Sequence, residues 1–168
     1  MPTPAKASPS PARPAARSAA RPARQPDAIA ILREDHKKVA ALFEQYEHAR
    51  SASVKRRLVE TICHELKVHT AIEEEVFYPA FKAALKDKEL VPEARVEHAS
   101  VKSLIEQVEG REPDGEDFDA KLKVMGEFVK HHVKEEQNEM FPKARKSRLD
   151  LVELGRLMAE RKQQLMAH

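Results

Sequence analysis

From Asp27 onward, apolar residues and histidines recur three and four positions apart, the period of a helix with one buried face. One stripe runs through Ile29, Leu32, His36, Val39, Phe43 and Tyr46, and a second through Leu58, Ile62, Leu66, His69, Glu73, Val76 and Ala80. A third comprises Val91, Ala94, His98, Val101, Ile105 and Val108; the fourth comprises Phe118, Leu122, Met125, Val129, His132, Glu136 and Met140. Breaks fall at Ser51-Ala52-Ser53, around Asp87 to Pro92, and from Gly110 to Gly115. Long amphipathic helices joined by short polar breaks predict an all-α fold, an antiparallel up-down-up-down four-helix bundle. A fifth stripe, about Leu149 to Met166, carries no candidate ligand. It predicts a C-terminal extra helix that packs across the bundle or mediates self-association.

The first 26 residues break this pattern. They hold seven of the eleven prolines, and after Met1 no apolar residue larger than Ala. Such a segment blocks helix and sheet and has nothing to bury, which predicts a disordered, partly polyproline-like tail over 1–26. The bundle domain then occupies 27–145 and the C-terminal amphipathic helix 146–168.

Charge separates the same two regions. The chain is 35% charged with a formal net charge of +2, yet residues 1–27 carry five Lys or Arg against Asp27 alone, giving +4 there and about −2 elsewhere. The body has no basic excess suited to a phosphate backbone, so no specific nucleic-acid partner is expected, and any attraction to acidic surfaces falls to the tail. The single Cys63 forms no internal disulfide and reads as a small core residue, in keeping with a reducing compartment. No apolar run approaches the roughly 18 residues of a membrane span, and the N-terminus has no apolar stretch typical of a secretory signal. A cytoplasmic protein without membrane association is expected; its oligomeric state is not written in the pattern.

The stripes contain an anomaly. Each places a His where a plain apolar residue belongs, and two add a Glu four residues later, facing the same way. One buried His is ordinary core packing. Two Glu and four His on four inward stripes are not, because a buried carboxylate is costly unless paired or metal-bound.

An internal repeat sharpens this. Asp35-His36-x-x-Val39 matches Glu97-His98-x-x-Val101, displaced by 62 residues, and His69-x-x-x-Glu73-Glu74 ahead of Pro79 matches His132-x-x-x-Glu136-Gln137 ahead of Pro142, displaced by 63. His131 and Glu135 are also four apart, but the distance to Pro142 selects His132 and Glu136. Each half supplies three candidate ligands: His36, His69 and Glu73 from one, His98, His132 and Glu136 from the other. Imidazole and carboxylate without thiolate suit iron or manganese, and zinc less exclusively. Carboxylates on opposed helices can bridge two metals while each takes two His, leaving positions for dioxygen, peroxide or nitric oxide.

With these motifs, the chain over about 27–143 resembles the hemerythrin-like HHE cation-binding domain family. The resemblance implies a cofactor of two Fe ions in a bridged, non-haem di-iron centre, with the glutamates bridging. Oxygen-carrying hemerythrins use five His, with an H-x-x-x-H pair on the third helix; here Lys102 stands four residues after His98. Simple reversible oxygen carriage is therefore not the expectation. The expected function is di-iron binding with binding of, or response to, oxygen, nitric oxide, peroxide or iron. The alternative is a di-iron redox enzyme turning over peroxide or nitric oxide, and no general base or substrate motif favours it.

Other motifs fail on spacing. Ferritin-like di-iron proteins need E-x-x-H, and none of the eight histidines has a Glu three residues before it. His64-Glu65 to His69 is one residue too long for H-E-x-x-H. His48, His64, His131 and His168 read as surface residues, with His131 and Glu74 as outer supports of a metal site. Tyr46 and Tyr78 could lie near the metals, and core packing is the first reading of both.

Overall fold

Asp27 opens the first helix by accepting a 2.8 Å hydrogen bond from the backbone N–H of Ala30, satisfying one of the donors a helix start leaves free. Residues 25–168 are described by the computed structural model, so the tail expected over 1–26 lies outside the described residues apart from Gln25 and Pro26. Helix α1 is Ala28–His48. Ser51 caps α2, Ala52–Ile72, by accepting from Val54 N–H. Helices α4, Leu90–Val108, and α5, Glu116–Glu135, complete the bundle, with Asp87 accepting from the N–H groups of Leu90 and Val91 to secure the start of α4.

The second and fourth bundle helices do not end at their ligands. After Ile72 the chain passes through one π turn, Glu73–Phe77, into α3, Tyr78–Leu85; after Glu135 it passes through Glu136–Met140 into α6, Phe141–Lys146. Proline explains both. Pro79 and Pro142 have no N–H, and their rings would collide with the carbonyl four residues back in a regular helix. The wider turn absorbs this, with Tyr78 N–H bonded to Glu73 O and Phe141 N–H to Glu136 O. The π turn begins at the glutamate itself, so the α-helical H-x-x-x-E spacing survives up to that residue.

Along the bundle, two apolar clusters sandwich one polar layer. One contains Ile29, Leu32, Ile72, Phe77, Phe81, Val91 and Phe141; the other contains Val39, Ile62, Cys63, Leu66, Val101, Ile105, Leu122 and Met125. The stripe residues between them in sequence are the histidines and glutamates. Helices α1 and α2 pack together, as do α4 and α5, and the pairs meet through α1 with α5 and α2 with α4.

Helix α7, Leu151–Met166, lies against α1 and α2 and buries Met158. Gly155 permits this approach, since a Cβ there would stand 2.6 Å from the carbonyl oxygen of Pro26. Among the described residues, no helix is long and apolar enough to cross a membrane.

Candidate metal centre

All six candidate ligands are buried, and the fold brings them into one layer. His36 comes from α1, His69 from the last turn of α2, His98 from α4 and His132 from α5, while Glu73 and Glu136 open the two π turns. Glu73 reaches both histidine pairs. Its Oε1 lies 2.9 Å from Nε2 of His69 and 4.0 Å from that of His36; its Oε2 lies 2.9 Å from Nε2 of His98 and 3.8 Å from that of His132. Glu136 Oε1 stands 3.4 Å from His36 Nε2 and 2.9 Å from His132 Nε2. Two groups result, His36 with His69, Glu73 and Glu136, and Glu73 with His98 and His132, each with its ligand atoms within 4.8 Å of one another.

The Nε2 atoms point inward because the Nδ1 atoms are held from outside. His69 Nδ1 is 3.1 Å from Asp35 Oδ2, His98 Nδ1 is 2.9 Å from Glu74 Oε1, and His132 Nδ1 is 3.0 Å from Glu97 Oε1. An acid at Nδ1 fixes the tautomer that leaves Nε2 free for a metal, and makes it more basic. Asp35 and Glu97 are the acids of the acid–His–x–x–Val repeat, whose role the sequence pattern alone does not reveal: each serves the histidine of the next helix, not its own neighbour.

The histidine and carboxylate charges support one another. Burial opposes the charged form of His69, yet Glu73, Asp35 and Glu136 raise its pKa to about 10. Burial likewise opposes a charge on His132, and Glu136, Glu73 and Glu97 raise it to about 12. Glu73 is buried too, but His69, His132 and His98 hold its carboxyl well below the usual range.

The family model of the hemerythrin HHE cation binding domain matches residues 27–144. This chain belongs to that family. A solved structure of a hemerythrin HHE cation binding domain-containing protein from Mycobacterium kansasii is similar, with a TM-score of 0.73 and 25% identity over 84% of this chain and 88% of that one. A DNA nickase from Nostoc sp. is 26% identical over 111 residues; these make up 66% of this chain but only 31% of the relative. The chain thus spans about a third of that curated relative's length.

For an HHE domain, the present donors fit a metal on their own geometry. His36 Nε2, Glu73 Oε1 and Glu136 Oε1 are buried without any hydrogen-bond partner, a costly arrangement that a cation in the layer resolves. The domain is a metal-binding helical protein.

One further residue stands at the centre and meets both of its readings, core packing and nearness to the site. Tyr78 places its hydroxyl 2.9 Å from Glu73 Oε2, 3.3 Å from Glu136 Oε2, 3.2 Å from His98 Nε2 and 3.1 Å from His132 Nε2. Its ring packs in the apolar cluster below while the hydroxyl enters the polar layer. The available signal was position: Tyr78 stands just before Pro79, where the π turn rotates it inward, and its repeat counterpart is Phe141. Tyr46 lies in the other core cluster and donates to Asp119.

The remaining histidines lie elsewhere. His48, His131 and His168 are exposed and His64 is half-buried. The second H-x-x-x-E pair faces outward: His131 is 64% exposed and sits 3.1 Å from Glu135 and 3.6 Å from Glu97.

Proposed function

We propose that this domain binds two iron ions side by side, one between His36 and His69 and the other between His98 and His132. Glu73 and Glu136 bridge them. The observation that carries this reading is the Glu73 carboxylate, whose two oxygens each stand 2.9 Å from a histidine of a different pair. A carboxylate serving one ion has no need to face both pairs. Donors of nitrogen and oxygen without sulfur favour iron or manganese. Tyr78 offers a further oxygen donor on the His98 and His132 side.

The role that follows is binding of, or response to, a small ligand such as oxygen, nitric oxide or peroxide. A cavity of about 20 Å³ touches all four histidines and is walled by Val39, Leu66, Val101 and Val129, which leaves room for roughly one water-sized molecule. When bound, the iron pair supplies electrons and open coordination positions. The chain's own residues orient the imidazoles, hold the bridging carboxylates, and limit access by size. Of the other polar side chains lining it, Asp35 and Glu97 are engaged with His69 and His132. The nickase relative shares too little of its length to lend this chain a substrate.

Anaerobic iron loading followed by elemental analysis and optical spectra with oxygen, nitric oxide and peroxide tests the reading. Two irons per chain with spectral changes on ligand addition are expected. A single tightly bound zinc overturns it, and sustained consumption of peroxide or nitric oxide moves the assignment to a redox enzyme.

A further inference from the structure

Three of the four histidines are held at Nδ1 by a carboxylate that itself faces a basic side chain. His69 is held by Asp35, which pairs with Lys162 of α7. His98 is held by Glu74, which pairs with Lys102 at 2.8 Å. His132 is held by Glu97, which faces His131 at 3.6 Å. His36 breaks the rule: its Nδ1 faces Nε2 of Gln137 at 3.4 Å, and among the described residues no carboxylate reaches it.

The break is built into the repeat. Gln137 is the counterpart of Glu74 and Ala40 that of Lys102, so both the acid and its cation are lost together in one half. A third difference has the same sense. The Tyr78 hydroxyl approaches His98 and His132, whereas its counterpart Phe141 only stacks on the His36 ring, with centroids 5.9 Å apart.

A neutral amide is a weaker acceptor than a carboxylate, by roughly half for a bond to an imidazole N–H. It also supports His36 as a metal ligand only when its oxygen, not its nitrogen, faces Nδ1. Outer partners of this kind typically change metal affinity by roughly 10–100-fold.

We infer that the two metal positions are unequal: the one between His98 and His132 retains its ion, and the one between His36 and His69 exchanges, with Gln137 as the positioning residue that sets the difference. This rests on the two-metal reading above. An exchangeable iron beside a retained one lets the domain report iron supply without losing its whole centre.

The test uses the full chain saturated anaerobically with ferrous iron, its iron content measured, and then challenged with a strong ferrous chelator. Release in two phases of equal amplitude is expected, with rates differing by roughly 10–100-fold. Gln137→Glu should slow the fast phase toward the slow one, and Glu74→Gln should accelerate the slow phase. Release of two irons at one rate overturns the inference while leaving the two-metal reading intact, as does an unchanged fast phase in Gln137→Glu. Fewer than two irons at saturation, measured before the challenge, overturns both. Anomalous diffraction from wild-type crystals at substoichiometric iron needs no variant: the stronger peak should lie between His98 and His132, and a stronger peak between His36 and His69 overturns the inference.

Discussion

The Tyr78 hydroxyl donates to Oε2 of Glu73 at 2.9 Å, inside a layer that the surrounding core closes on both sides. Burial, and then the charges of Glu73 and Glu136, push its pKa well above the ordinary phenol value, so without metal it remains a proton donor. A ferric ion held between His98 and His132, as proposed, would reverse that balance by favouring the phenolate. Tyr78→Phe should keep the fold, since Phe141 already fills the counterpart position, and should bleach the phenolate-to-iron absorption of the ferric protein. An unaltered visible spectrum would show that the hydroxyl only orients Glu73.

If Glu73 and Glu136 bridge two metals as proposed, they are the most sensitive of the candidate ligands. Glu73→Ala or Glu136→Ala should remove both metals together, whereas His36→Ala should leave close to one metal per chain. Glu135→Ala is the control, because Glu135 pairs outward with His131. Elemental analysis after desalting reads all four variants. Loss of the metals from Glu135→Ala with retention in Glu136→Ala would transfer the site to His131 and Glu135.

Metal binding should release protons. His69 and His132, raised to about 10 and about 12, are charged at neutral pH in the metal-free protein, and a metal takes only the deprotonated nitrogen. Apparent affinity for ferrous iron should therefore rise between about pH 6 and pH 8, with the release read calorimetrically in two buffers of different ionisation enthalpy.

Stability of the metal-free protein should run the other way. A raised His69 pKa contributes stability that is full below 6.5 and is lost as pH rises through about 10. The lowered pKa of Glu73 contributes stability that is full above 4.5 and is lost as pH falls. Melting temperature without metal should thus decline from about pH 7 to pH 9. A rise over that interval would mean that these histidines are neutral in the folded chain.

Gly155 is a point of close backbone approach between α7 and the start of α1. A Cβ would meet backbone atoms of Pro26 and Asp27 at 2.6 and 2.8 Å, and backbone does not yield as a flexible side chain does. Gly155→Ala should cost about 1–3 kcal/mol by urea denaturation, the usual range for overpacking. It should also loosen Lys162 from Asp35 and so speed iron loss. Unchanged stability would show that α7 shifts freely on the bundle.

The sequence alone determined the bundle, because helical periodicity is local: the apolar stripes, the Ser51 and Asp27 starts and the breaks before Leu90 and Glu116 all lie within a few residues of what they control. It also brought out the six polar residues on the inward stripes, since His and Glu at core positions contradict the pattern around them. The two π turns were not legible, as the stripe continues through Pro79 and Pro142 and only the packed helix shows how the ring is accommodated. Glu74 was legible as an outer support, but not which histidine it holds, and Asp35 and Glu97 were not legible as partners at all. Asp35 holds His69 and Glu74 holds His98 across helix boundaries, 34 and 24 residues away. Which acid meets which imidazole depends on how the helices are rotated against one another. Tyr78 shows the limit most sharply: an aromatic on an apolar stripe packs its ring as the pattern requires, and only the tertiary structure decides what its hydroxyl reaches.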